Sequence, residues 1–161
     1  MKTRNIFLTW IGITFLFQSC SVAKFSSMPK GASEINFANF QSQVKNEKEP
    51  LLTGSTTNEY FIEINRVCNE LAILDAIGQA YTANHYGFSK FNKADKAVFA
   101  ERGARLNEWK SLAGIYYQIN AQLNNTRFYI LVKITQDITG GWKENRAKNL
   151  GLSLEKLLNK Q

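Results

Sequence analysis

Histidine, cysteine and proline are scarce in this chain, at one, two and two among 161 residues. The single histidine, His85, has no second histidine and no cysteine at ligand spacing, so no metal is implied and a helix-terminal structural role fits it better. There is no phosphate-binding glycine loop, no HExxH and no GxSxG, which counts against the common nucleotide-dependent and hydrolytic chemistries. Carboxylates at helical spacing, Glu59, Glu63 and Glu70 and separately Glu101 and Glu108, read as solvated faces rather than acid–base pairs. The balance is against an enzyme, and no cofactor is implied. No apolar run is long enough to cross a bilayer: the most extended, Ile6–Phe17, covers about 18 Å as a helix, against a hydrocarbon core of about 30 Å. Nor do Lys and Arg cluster with interleaved aromatics, so nucleic acid is not an expected partner despite a formal net charge of +7.

What the first residues do contain is specific. Lys2 and Arg4 precede the apolar run, and small residues end it, which is the layout of a secretory signal. The end reads Leu16-Phe17-Gln18-Ser19-Cys20, then Ser21. This resembles the lipobox of bacterial lipoproteins, with Phe17 at the position usually held by leucine. The resemblance covers residues 1–21 alone; no family is recognised in the domain that follows. It implies cleavage after residue 19, acylation of Cys20 and anchoring in the cell envelope through fatty chains, each buried CH₂ contributing about 0.8 kcal/mol. Ser21, not being aspartate, points to the outer membrane. Losing Lys2 and Arg4 with the leader lowers the formal charge from +7 to +5. Cys68 then remains as the one unmodified cysteine, without a disulfide partner, and reads as a small buried hydrophobe.

Residues 20–55 follow as lipid anchor and tether. They hold both prolines, Pro29 and Pro50, and much Ser, Gln, Asn and Lys, with Ile35, Phe37 and Phe40 able to form a short docking turn. Residues 56–161 read as an all-α domain, an antiparallel bundle of three or four helices. Thr56 to Gly87 is the organising helix, because Tyr60, Ile64, Val67, Leu71, Leu74, Gly78, Tyr81 and His85 alternate spacings of four and three. A second helix starts at Asn92, with Val98, Trp109, Leu112, Tyr116, Ile119 and Leu123 as its stripe. Residues 127–138 are β-branched and aromatic, but a lone strand has nothing to pair with, so a short buried helix, or a continuation of the second helix, is preferred there. Residues 142–160 form the last helix, with Ser153 as an internal cap.

Two arginines interrupt the second stripe. Arg102 and Arg105 stand where apolar residues are due, and antiparallel packing places Asp75 opposite them. A guanidinium takes a carboxylate bidentately, so Asp75 is the expected internal partner, leaving one arginine for an anionic ligand or an acidic protein. The same packing brings Gly78 and Gly103 to one level, as a close helix crossing. Three functions follow in order: an anchored binding or scaffolding protein, a tethered inhibitor such as an immunity protein that neutralises a toxin, and an enzyme with a site between helices that includes Arg102 and Arg105.

Overall fold

A computed structural model of the chain describes residues 28–40, 57–103, 110–134 and 145–160, and it replaces the expected helical bundle with a sheet. Strands β1 (Thr57–Ile64), β2 (Gly87–Asn92), β3 (Ala97–Arg102), β4 (Ser111–Asn120) and β5 (Asn125–Ile134) pair antiparallel in the order β1-β5-β4-β3-β2. Helices α1 (Glu70–Ala83) and α2 (Arg146–Leu158) complete a mixed α/β fold. The cleavage region and Cys20 lie outside the described residues.

The seam from Tyr60 to His85 misleads because it runs through two elements. Its first residues belong to β1, where the even positions Tyr60, Ile62 and Ile64 share one face. The helix begins only after Asn69, whose side chain accepts from the Leu71 backbone N–H. Its buried face is Ile73, Ala76, Ile77, Ala80 and Tyr81, so Leu71 and Gly78 of the expected seam point outward. A Cβ on Gly78 meets nothing within 4 Å, and Gly103 lies just past β3 with equally open surroundings. The close helix crossing therefore does not exist. Gly78→Ala is expected to raise the unfolding free energy by about 0.5–1 kcal/mol through helix propensity alone, read from chemical denaturation; a destabilised variant would require a contact at Gly78 that the structure lacks.

The second expected helix is a hairpin ladder for a related reason. Lys96 and Asn124 both hold left-handed backbone, at φ 49°, and turn the chain from β2 into β3 and from β4 into β5. Between those turns the strands carry little visible alternation, because both faces of the sheet are covered. Ser111 through Tyr117 are all buried, and a strand buried on both sides reads as one apolar run. Residues 127–134 are strand rather than the expected short helix, because β5 sits between β1 and β4 and is paired along both edges; residues 135–138 lie outside the described residues.

One face of the sheet packs on the helices. Ile62, Ile77, Ile115, Phe128, Ile130 and Leu154 are among the residues of this main core. Here α2 lies over β1 and β5 and beside α1. The opposite face carries Phe61, Phe99, Leu112, Tyr116, Tyr129 and Leu131. It is closed by the described part of the stretch read as a tether: Met28–Phe40 form a strap with two 3-10 turns, Ala32–Glu34 and Phe37–Asn39. Met28 and Phe37 are buried in it, and Phe40 stacks on Phe61 with ring centroids 5.3 Å apart. Polar contacts fix its path. Tyr116 OH donates to the Pro29 carbonyl at 2.7 Å, Asn92 Nδ2 to the Lys30 carbonyl at 3.1 Å, and Ser33 Oγ to Asp95 Oδ2 at 2.8 Å.

Candidate functional site at one end of the sheet

The row of helix-facing residues on β3 runs Val98, Ala100, Arg102, and on β4 it runs Tyr117, Ile115, Ala113, Ser111. Both rows are apolar until their last member, where Arg102 and Ser111 face each other across the ladder. Arg146, the first residue of α2, enters the same end from above. Its Nη1 donates to Ser111 Oγ at 3.1 Å. Tyr86 arrives from α1: His85 holds φ 63° and ends the helix, and the Tyr86 N–H closes back onto the Tyr81 carbonyl at 2.8 Å. Its hydroxyl lies 3.0 Å from Ser111 Oγ.

The result is two guanidinium side chains, Arg102 at 6% and Arg146 at 5% exposure, around a fully buried serine hydroxyl. A buried charge is retained only with compensating polar contacts, so this end of the interlayer is polar by construction. Among the described residues the groups assembled are donors and hydroxyls, and the chain's one imidazole, His85, is exposed. Such an arrangement suits the holding of an anion rather than proton transfer. Asn58, on the same face of β1, is buried with neither side-chain amide atom hydrogen-bonded.

Of the residues singled out from sequence, Arg102 lies at this end and Arg105 lies outside the described residues. Asp75 is elsewhere, exposed on α1, where its carboxylate accepts from Gln79 Nε2 at 2.8 Å. The structure therefore does not bring Asp75 to Arg102. Arg146 escaped the sequence reading, although the signal was the one that exposed Arg102: it heads the four-residue series Arg146, Leu150, Leu154, Leu158, a cation at the first position of an apolar stripe. Cys68 is buried and free, and its backbone N–H donates to Thr126 Oγ1 at 3.0 Å.

A second polar cluster stands at the opposite end. Glu70, in the first turn of α1, pairs with Lys96 and accepts from Tyr117 OH at 2.9 Å, while Lys96 also lies over the Tyr117 ring. The hydrogen bond from Lys96 and then that from Tyr117 hold the Glu70 carboxyl below its ordinary range. Tyr117 is pushed up, first by burial and then by Glu70. A lowered carboxylate pKa stabilises the fold above the unfolded value of about 4.3, and that contribution is lost as pH falls through the folded pKa. The stability difference between the wild type and Glu70→Gln is thus expected to be present at neutral pH and to shrink in acid; a difference independent of pH would remove the ionised Glu70 from the fold's stabilisation.

No known protein family matches this chain, and no curated protein is significantly similar to it.

Proposed function

We propose that this chain is a cell-envelope lipoprotein, anchored through Cys20, whose α/β domain binds an acidic partner close to the membrane. The observation that carries the reading is the layout of residues 1–21, a basic start, a twelve-residue apolar run and the Ser19-Cys20-Ser21 end. The docked strap agrees with it: Met28 is already packed on the sheet, so seven residues separate Cys20 from the folded domain. The binding half rests on Arg102, a cation in an apolar row that meets Arg146 at Ser111. A carboxylate side chain of an acidic partner, entering this end of the interlayer, is the group that such charge fits.

Intact-mass measurement of the wild type is expected to show Cys20 as the acylated amino-terminal residue, and Cys20→Ala to move the protein out of the membrane fraction or leave its leader attached. An unmodified Cys20 would refute the anchor. For the binding half, Arg102→Gln is expected to lose an acidic protein that co-purifies from solubilised membranes; equal recovery by the folded variant would remove Arg102 from binding.

A further inference from the structure

Among the described residues the large apolar side chains exposed to solvent are Val67, Leu71, Leu123 and Leu152. Three of these four share one end of the molecule. Leu123 lies in the β4–β5 turn, and the start of β5 is tied to the loop before α1 because Thr126 Oγ1 accepts from the Cys68 N–H and donates to the Arg66 carbonyl. That loop carries Val67, and the first turn of α1 carries Leu71. Exposure of 77% for Leu71 and 59% for Leu123 is far beyond what packing requires. Single exposed apolar side chains are ordinary, but three at one end are a feature.

The same end is cationic. Arg66, Lys93 and Lys160 are all exposed there. Arg66 donates to the Leu158 carbonyl at the end of α2, two residues before Lys160, and Lys93 is near enough to Glu70 to help depress its carboxyl. The carboxylates of this end are largely engaged, Glu70 with Lys96, Glu63 with Arg127 and Asp95 with Ser33. Protruding leucines ringed by lysine and arginine are what an anionic lipid surface accepts: apolar tips enter the headgroup–acyl boundary to a depth of about 5–10 Å, and each cation near the surface favours binding by about fivefold.

The tether is long enough to allow this. Eight Cα steps from Cys20 to Met28 span at most about 29 Å. Met28 sits over Gly114, and the six residues from there to Asn120 cover about 20 Å of strand. A bilayer holding the acyl chains of Cys20 is therefore within reach of the β4–β5 turn. We infer that the end bearing Val67, Leu71 and Leu123 rests on the anionic membrane surface that holds the anchor, which turns the opposite end, with Arg102 and Arg146, away from the lipid. This rests on the anchored reading proposed above.

The test uses the full-length acylated protein in vesicles of phosphatidylcholine and phosphatidylglycerol, part of the lipid being brominated. Once Cys20 is acylated and with Cys68 buried, an introduced cysteine is the reactive thiol. An environment-sensitive fluorophore is attached to Leu123→Cys, to Leu71→Cys, or to Gly103→Cys at the far end, where a side chain has open space. Blue-shifted emission and strong bromine quenching are expected at 123 and 71 and not at 103. Lys93→Glu with Lys160→Glu, or vesicles without phosphatidylglycerol, should abolish most of that quenching. Equal quenching at all three positions in protein that floats with the vesicles would overturn the inference alone. Protein that fails to float would overturn the anchor and the inference with it.

Discussion

Phe37→Ala is expected to cost about 3 kcal/mol or more of unfolding free energy, the usual range for truncating a buried phenylalanine, although Phe37 lies in a stretch whose composition reads as linker. It is 4% exposed, tilted against Phe61 at 6.4 Å between ring centroids, and it belongs to the second core on the far face of the sheet. The strap has few other large side chains with which to hold that face; Met28, Ile35 and Phe40 are the remainder. Loosening it uncovers Phe61, Tyr129 and Leu131 together, so the variant should also bind a hydrophobic dye that the wild type excludes. Denaturant titration gives the free energy. A loss below about 1 kcal/mol, the scale of an ordinary surface change, would mean that the strap ornaments the sheet without stabilising it.

Gly151→Val is expected to destabilise by about 2–3 kcal/mol, at the upper end of the overpacking range. At Gly151 the backbone of α2 lies directly against side chains of the sheet. A Cβ built there would lie 2.3 Å from Tyr60 Cδ1, 2.7 Å from Tyr60 Cε1 and 3.2 Å from Ile130 Cδ1. These contacts leave the helix two outcomes, to lift from β1 and β5 or to expel the Tyr60 ring. Better helix propensity returns only about 0.5 kcal/mol, too little to change the sign. Tyr60→Ala should relieve much of the clash, so the double variant is expected to lose less than the sum of the single ones. Strict additivity would show that the tyrosine ring is not what the valine meets. Gly78→Ala is the counterpart on α1: a glycine in a helix interior too, but with empty space where Gly151 has a ring.

How much of this could be read from the residues differs by element. The second half of the first helix was legible, since Leu71 to Tyr81 does form a helix, although the cap is Asn69 rather than Thr56. The strand character of residues 127–134 was visible in Phe128-Tyr129-Ile130-Leu131-Val132. That character is outweighed in the sequence because each strand, taken alone, has no partner, whereas all five lack partners only until they are considered together. β4 was hidden by double coverage. Its far face is roofed by the strap, which reads as tether except for Ile35, Phe37 and Phe40, the three side chains that the sequence marks for a docking turn. Arg102 was found, because a cation in an apolar row shows at any period. Its neighbours Ser111, Tyr86 and Arg146 were not, since their meeting depends on which strands adjoin and where α2 begins, and spacing along the chain carries neither.

The strand order has one more effect, on timing. β2 through β5 are sequential hairpins, each pairing available as soon as the next strand exists. β1 is different: its one neighbour is β5, with Ile64 against Thr126 and Thr57 against Lys133. The strap likewise grips Asp95 and Tyr116, well downstream of itself. Contacts so distant along the chain carry the largest loop-closure entropy and the slowest formation. The first-made strand is thus the one whose pairing needs the last-made strand, and β1 has no complete ladder to join until β5 has been delivered.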